Sequence, residues 1–146
     1  MALLSDSDRL KLQEVLAAMP APVRLVFFTQ TLGCEMCLVT RQILDELVGL
    51  SDKLALEEVN FILDKDKVAA YGVDRVPAIA VVGDTDPGIR FYGAPTGYEF
   101  MSLVDAVLLV SGGSSALEGE DFSDASLQRL AAVDQPVDLQ VFVTPT

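Results

Sequence analysis

Two cysteines, Cys34 and Cys37, are the residues of this chain with the clearest chemical potential, because only two residues separate them. An apolar, strand-like run precedes them at 23–28, and an amphipathic helical pattern follows at 38–48. A Cys-x-x-Cys pair at the start of a helix is a redox device. The unpaired N–H groups and positive dipole of a helix start favour a thiolate on Cys34. Cys37 lies one turn further on, where the two sulfurs can form a disulfide.

The composition narrows the classes of function. The chain has 22 acidic and 10 basic residues, and its formal charge of −12 repels phosphate backbones and anionic lipid surfaces. We therefore expect no nucleic-acid partner and no membrane partner. The chain has no histidine, which removes the usual general base and the usual zinc ligand. Two cysteines cannot complete a four-ligand zinc site in one chain, so the remaining metal alternative is a site shared by two chains.

The sequence predicts neither a signal peptide nor a membrane span. Residues 1–6 lack a basic region followed by a long apolar stretch. The longest apolar run, at 101–110, contains Asp105 and is too short to cross a bilayer. We therefore expect a cytoplasmic protein, in which a close cysteine pair is more often redox-active or metal-binding than a structural link.

The hydrophobic periodicity predicts the elements that position the cysteines. Ser5 is a candidate N-cap for a first helix, and Thr96 with Glu99 predicts a capping box for the last one. The predicted order is helix, strand, cysteine turn, helix, strand, helix, strand, strand, helix, with strands at 23–29, 54–63, 78–82 and 89–92. The first two strands are joined through a helix and should be parallel, whereas the last two are joined by a tight turn and should be antiparallel. The fold class is therefore α/β, with a mixed central sheet flanked by helices.

A second signal is the dipeptide Val76-Pro77, which opens the predicted strand 78–82. Proline at a strand start is ordinary, because it lacks the N–H that a strand interior needs. A sharper hypothesis is that the Val76–Pro77 bond is cis. The backbone of Val76 would then face the sulfurs and leave its N–H and C=O free to pair with a bound peptide.

Taken together, these residues resemble the thioredoxin–glutaredoxin fold, and more narrowly the N-terminal half of the tandem protein disulfide oxidoreductases, also called glutaredoxin-like proteins. The resemblance covers nearly the whole chain. It rests on the strings Leu4-Ser5-Asp6, 23–28, Cys34 to Cys37, Asp74-Arg75-Val76-Pro77-Ala78, Arg90-Phe91-Tyr92-Gly93 and 141–146. It implies a thioredoxin-like fold and a thiol–disulfide oxidoreductase that works through a redox-active disulfide.

Proteins of that family contain two thioredoxin-like units, and this chain contains a short internal sequence repeat. Val26-Phe27-Phe28-Thr29 recurs as Val141-Phe142-Val143-Thr144, each following a similar helical segment. We therefore expect a thioredoxin-like domain at 1–111, a linker at 112–122, and the helix and strand of a truncated second unit at 123–146. The strand expected at 137–143 has one apolar face in need of burial, so we expect this segment to promote a homodimer.

Within this family framework, Cys34 is the expected attacking thiolate and Cys37 the residue that resolves the mixed disulfide, without metal, flavin or nucleotide. Glu35 places a negative charge beside the pair and should oppose thiolate formation on Cys34. Arg41, one turn beyond Cys37, and Arg75, directly before Val76-Pro77, are the cations that could restore positive potential. A shallow apolar rim around Cys34 should bind protein or small-molecule disulfides, and the candidate substrate-binding residues are Glu35, Met36, Arg75, Val76 and Pro77.

The proton acceptor for Cys37 is not evident in the sequence. Phe28 occupies the strand position where thioredoxins commonly keep a buried acid, and Glu57 or Glu58 on the next strand is a substitute to test. The electron donor is also open between glutathione, a flavoprotein reductase and direct exchange with clients. The alternative function is a non-catalytic thioredoxin-like module for interaction or dimerisation, with a vestigial cysteine pair.

Overall fold

The structure is a computed structural model that describes residues 3–113 and 122–144. The elements follow the predicted order, including the helix predicted in the C-terminal segment. They are α1 (Asp6–Ala17), β1 (Val23–Thr29), α2 (Glu35–Val48), β2 (Leu54–Asn60), α3 (Lys65–Ala70), β3 (Ala78–Val82), β4 (Arg90–Tyr92), α4 (Tyr98–Val110) and α5 (Asp124–Ala131).

The four strands form one mixed sheet in the order β2-β1-β3-β4. β1 pairs with β2 in parallel, with Phe27 opposite Glu58, whereas β3 pairs antiparallel with both β1 and β4. The predicted mixed sheet is therefore confirmed. Because β1 and β2 are parallel, the cysteine loop that follows β1 and the loop that follows β2 lie at the same end of the sheet, where the N–H of Phe61 donates to the carbonyl of Thr29 at 2.8 Å.

Helices cover the two faces of the sheet unequally. The larger core lies between the sheet and helices α1, α2 and α4, and it includes Leu16, Phe27, Cys37, Leu44 and Val107. The smaller core lies on the opposite face under α3, and it is built from Val26, Phe28, Val59, Val68, Val73, Ala78, Ala80 and Val82. The redox helix α2 therefore packs on the thicker side of the molecule.

Of the two helix starts predicted from capping residues, one is confirmed. Ser5 is the N-cap of α1, and its side chain accepts the N–H of Asp8. The capping box predicted from Thr96 and Glu99 is wrong, because α4 begins at Tyr98 and its N-cap is Gly97 with φ of 60°. Glycine adopts this left-handed backbone without the steric cost of a Cβ atom.

The predicted second strand is three residues too long. β2 ends at Asn60, whose side-chain oxygen accepts the N–H groups of both Ile62 and Leu63 at 3.0 Å. An Asn side chain that bonds the backbone two or three residues ahead turns the chain out of a strand. Ile62 and Leu63 consequently lie in an exposed turn.

The C-terminal segment contains the predicted helix but lacks the predicted strand. Ser123 caps α5 by accepting the N–H of Ser126, and no residue of α5 is buried in the part of the chain that the structure describes. Residues 137–144 form no strand there and are exposed, because a strand is stable only when its backbone groups pair with a neighbour. Most of the linker predicted at 112–122 lies outside the described residues, and the division into units stays a prediction.

Among the described helices, none is long and apolar enough to cross a membrane. The longest, α2, has 14 residues, whereas a helical span needs about 20 apolar residues.

Candidate active site

The cysteine pair lies at the N-terminus of α2, as the sequence predicted. Cys34 is the N-cap residue, and Cys37 lies in the first turn of the helix. Their sulfurs form a disulfide, with the two Cα atoms 5.4 Å apart. Cys37 is buried, with 5% of its surface exposed, whereas Cys34 is only partly buried. The two sulfurs therefore differ in access to a partner molecule.

The helix N-terminus is the main source of positive potential at Cys34. The side chain of Cys34, the N-cap residue, accepts no hydrogen bond from the first turn of α2, and the N–H groups of that turn provide positive potential next to this residue. Arg41 is bonded to Asp45 and Glu58, and Arg75 is bonded to Asp74. These carboxylates offset both guanidinium charges, and the two arginines do not supply the free cation that the sequence left open.

The Val76–Pro77 bond is cis, as the sequence predicted. The carbonyl of Pro77 accepts the N–H of Gly93 at 2.9 Å, which joins the start of β3 to the loop after β4. Val76 and Cys34 pack against the same core cluster. Val76 also packs against the smaller core, so it contacts both faces of the sheet, whereas the partly buried Cys34 packs against the larger core.

Arg75, directly before Val76, has a fixed position at the surface. Its Nε lies 2.8 Å from Oδ1 of Asp74, and its guanidinium lies 4.8 Å from the ring centroid of Tyr92. The bond with Arg75 lowers the pKa of Asp74, and the same bond raises the pKa of Arg75. Burial raises the pKa of Tyr92, so this ring is a neutral platform for the guanidinium at neutral pH.

The two residues between the cysteines face solvent. Met36 is 45% exposed, and Glu35 is exposed without an ion-pair partner among the described residues. The structure adds exposed apolar side chains that the sequence did not predict for the site: Leu32 in the cysteine loop, and Ile62 and Leu63 in the turn after β2. The parallel pairing of β1 with β2 would have placed Ile62 and Leu63 at the same end of the sheet as the cysteine loop, if the end of β2 had been predicted correctly.

Neither Glu57 nor Glu58 replaces the buried acid that Phe28 excludes. Glu57 forms ion pairs with Arg24 and Lys67, and Glu58 pairs with Arg41. Across residues 3–113 and 122–144, the buried polar side chains are those of Thr40 and Ser111. The hypothesis of a substitute carboxylate is therefore wrong, because both glutamates lie at the surface in ion pairs.

The described residues of one chain form no candidate metal site. In the described ranges, no group of three or more Asp, Glu, Cys or His side chains is arranged to hold a metal ion. A site shared by two chains would need four thiolates, and both cysteines are in the disulfide here.

Comparison with known proteins agrees with this geometry. No family model matches the chain. A probable thioredoxin of Methanothermobacter thermautotrophicus is 32% identical over 73 residues, which cover 49% of this chain and 81% of that protein.

Two solved structures share the fold over most of the chain. The protein disulfide oxidoreductase of Aeropyrum pernix K1 aligns with a TM-score of 0.71 and 28% identity, covering 88% of this chain and 54% of that one. The N-terminal domain of the alkylhydroperoxide reductase AhpF of Enterococcus faecalis aligns with a TM-score of 0.72 and 26% identity, covering 90% of this chain and 62% of that one. The chain thus spans 54% and 62% of the lengths of these two solved chains. With a thioredoxin relative covered over most of its length, a disulfide at the N-terminus of α2 and a cis-proline before β3, the chain belongs to the thioredoxin family.

Proposed function

We propose that this chain is a thiol–disulfide oxidoreductase in which Cys34 attacks disulfides and Cys37 releases the product. One observation carries the proposal: the two cysteines form a disulfide at a helix N-terminus, with Cys34 accessible and Cys37 buried. A helix N-terminus favours the thiolate, and an accessible thiolate is the attacking species in disulfide exchange.

The exchange proceeds in two balanced steps. The Cys34 thiolate attacks one sulfur of the client disulfide, which forms a mixed disulfide and expels one client thiolate. Cys37 then loses its proton and attacks the sulfur of Cys34, which forms the Cys34–Cys37 bond and expels the second client thiolate. The proton passes to solvent or to the departing thiolate. The client gains two electrons and the cysteine pair loses two.

Client binding uses the apolar surface beside Cys34. Met36 is half exposed, and an unbranched thioether side chain adapts to different partners. Val76 and Pro77 provide a backbone edge against which an extended client segment can pair. Glu35 and Arg75 flank this surface with one charge of each sign, and Asp74 already offsets the charge of Arg75.

For the electron donor, we propose a reductase protein with a flavin rather than glutathione. The AhpF structure provides the support, because a domain like this chain occurs within a reductase. A comparison of reduction rates with glutathione and with a purified flavoprotein reductase tests this choice. Rapid reduction by glutathione alone would contradict it.

We also propose that residues 123–144 correspond to the first helix of a second thioredoxin-like unit and the segment after it. Ser123 caps α5 in the way that Ser5 caps α1. The alignment with the Aeropyrum pernix enzyme extends over 88% of the chain, beyond the first unit. The melting temperature of the separate fragment 1–113 tests the division into units. We expect it to equal the melting temperature of residues 1–146.

Reduction of insulin by dithiothreitol, followed as turbidity, tests the proposed activity. We expect wild type to accelerate the reaction, Cys34→Ser to lose the acceleration, and Cys37→Ser to accumulate a mixed disulfide with insulin on a non-reducing gel. A wild type no faster than dithiothreitol alone would favour the non-catalytic module. Turnover that persists in Cys34→Ser would overturn the assignment of the attacking residue.

A further inference from the structure

A polar side chain lies on the otherwise apolar stripe of the redox helix. α2 buries Cys37, Thr40, Ile43, Leu44 and Leu47 against the sheet. Thr40 has 0% of its surface exposed. Burial of a hydroxyl costs stability unless it is hydrogen-bonded, and an apolar residue would pack at this position without that cost. The hydroxyl therefore calls for an explanation.

The hydrogen bond of Thr40 places its hydroxyl against the redox turn. The Oγ1 atom donates to the carbonyl of Met36 at 2.8 Å, and Met36 lies between the two cysteines. A helical side chain that bonds the carbonyl four residues back lies over the preceding turn. Here the preceding turn contains Met36 and Cys37, and Cys37 and Thr40 are neighbours on one helix face.

The chemistry of Cys37 creates a need for such a donor. When the disulfide opens, Cys37 becomes a thiol in an apolar site, and burial opposes the ionised form that attacks the mixed disulfide. Phe28 leaves no carboxylate at the usual strand position, and Glu57 and Glu58 are held in surface ion pairs. Among the residues that the structure describes, Thr40 is the buried polar side chain on the redox helix.

We propose that Thr40 is a positioning residue for the second step of disulfide exchange. When the disulfide opens, the side chain of Cys37 is free to rotate about its Cα–Cβ bond, and its sulfur then approaches the hydroxyl of Thr40, whose hydrogen bond stabilises the thiolate that attacks Cys34. The proton of Cys37 still leaves to solvent or to the departing thiolate, because the hydroxyl donates a hydrogen bond and accepts no proton. This inference rests on the proposed function.

The structure offers a matched control in Ser111, the other buried hydroxyl. It is 3% exposed and donates to a main-chain carbonyl, that of Leu108, at 2.6 Å. Ser111 follows the last turn of α4, and it has no part in the proposed exchange. The variant Ser111→Ala therefore reports the general effect of losing a buried hydroxyl.

The test follows the reaction of the reduced protein with 5,5′-dithiobis(2-nitrobenzoate) in a stopped-flow instrument. Attack by Cys34 releases one thionitrobenzoate, and attack by Cys37 on the mixed disulfide releases a second, so the two steps are separated in time. We expect Thr40→Val to leave the first release unchanged and to slow the second about tenfold to a hundredfold, the range for loss of one hydrogen bond to a charged group. The pH dependence of the second release should shift to higher pH.

Rescue distinguishes a positioning role from a packing role. Thr40→Ser retains the hydroxyl and should restore the second release to within about twofold of wild type, whereas Ser111→Ala should match wild type in both releases. If Thr40→Val does not fold, Thr40→Ala takes its place with the same expectation. An unchanged second release in the hydroxyl-free variant, or a serine variant as slow as the valine variant, overturns the inference. Absence of the first release in wild type would instead contradict the proposed function.

Discussion

Arg41 and Glu58 form an ion pair that joins the redox helix to the edge strand β2. Asp45, one turn further along α2, accepts a hydrogen bond from Nε of Arg41 at 2.9 Å. The bond with Asp45 raises the pKa of Arg41, so the guanidinium stays charged at every working pH. Two carboxylates nevertheless pair with that charge and offset it.

The first prediction concerns the charge of Arg41. We expect Arg41→Gln to leave the alkylation rate of reduced Cys34 by iodoacetamide within about twofold of wild type, because exposed and already paired charges act weakly at a distance. Alkylation at neutral pH, quantified by mass spectrometry, provides the rate. A decrease of about tenfold would show that Arg41 activates the cysteine directly.

The second prediction concerns Glu35, which lies next to Cys34 without an ion-pair partner among the described residues. Glu35→Gln removes a negative charge that opposes the thiolate, so we expect about twofold to threefold faster alkylation of Cys34 at neutral pH. Glu14→Gln on the exposed side of α1 is the matched control and should have no effect. Slower alkylation of the Glu35 variant would contradict the assigned role.

The third prediction concerns the smaller core. Phe28 is fully buried and packs edge to face against Tyr71, with the ring centroids 5.5 Å apart. Phe28→Ala should lower the free energy of unfolding by about 3–5 kcal/mol, because it removes a large buried side chain from the smaller core and leaves a cavity. Urea unfolding followed by circular dichroism measures the loss. Leu63→Ala, at an exposed position, should change it by less than about 0.5 kcal/mol.

The fourth prediction concerns acid stability. Glu46 on α2 accepts the backbone N–H groups of Leu3 and Leu4 and pairs with Arg9, and the bond from Leu3 is the largest cause that lowers the pKa of Glu46. Because the folded-state pKa lies below the ordinary value of 4.5, Glu46 contributes stability above that value and loses it as the pH falls through the folded-state pKa.

Glu46→Gln should therefore flatten the decline of the urea midpoint on acidification. The midpoint is compared between wild type and variant across the pH range from about 6 to about 3. At the upper end the variant should be less stable than wild type, and at the lower end the two should converge. Parallel curves at all pH values would contradict the role given to Glu46.

The fifth prediction concerns the exposed C-terminal segment. Leu139, Val141 and Val143 are exposed, and such an apolar series favours association. We expect light scattering to give a dimer mass for residues 1–146 and a monomer mass after deletion of 123–146. Val141→Asp in the full chain should also reduce the dimer. The same monomer mass with and without the segment would contradict this prediction.

The sequence was sufficient for the sheet and for the cysteine turn because their signals are local. Apolar runs of strand length separated by helical patterns fix the order of elements, and the helix start at Cys34 follows from the pattern after it. The ends of elements depend on finer contacts. The side chain of Asn60 ends β2 through its own hydrogen bonds, and the left-handed backbone of Gly97 starts α4 without a side-chain cap.

Residues brought together by packing could not be predicted in the same way. Thr40 is an unremarkable helical residue in the sequence, and its importance follows only from full burial on the face shared with Cys37. The ion pair of Arg41 with Glu58 and the contact of Arg75 with the ring of Tyr92 likewise depend on side-chain placement across elements. The strand expected at 137–143 failed for a related reason, since alternation predicts a strand only where a neighbouring strand exists.

The position of Cys34 at the start of α2 couples the oxidation state to the order of the helix. In the disulfide form, no side chain among the described residues accepts a hydrogen bond from the first turn of α2. In the reduced protein, the thiolate that we propose for Cys34 would be an anionic acceptor for those amides. By a thermodynamic cycle, the free energy with which this contact stabilises the reduced protein also makes the disulfide a stronger oxidant. Amide hydrogen exchange in that turn should accordingly be slower in the dithiol form than in the disulfide form.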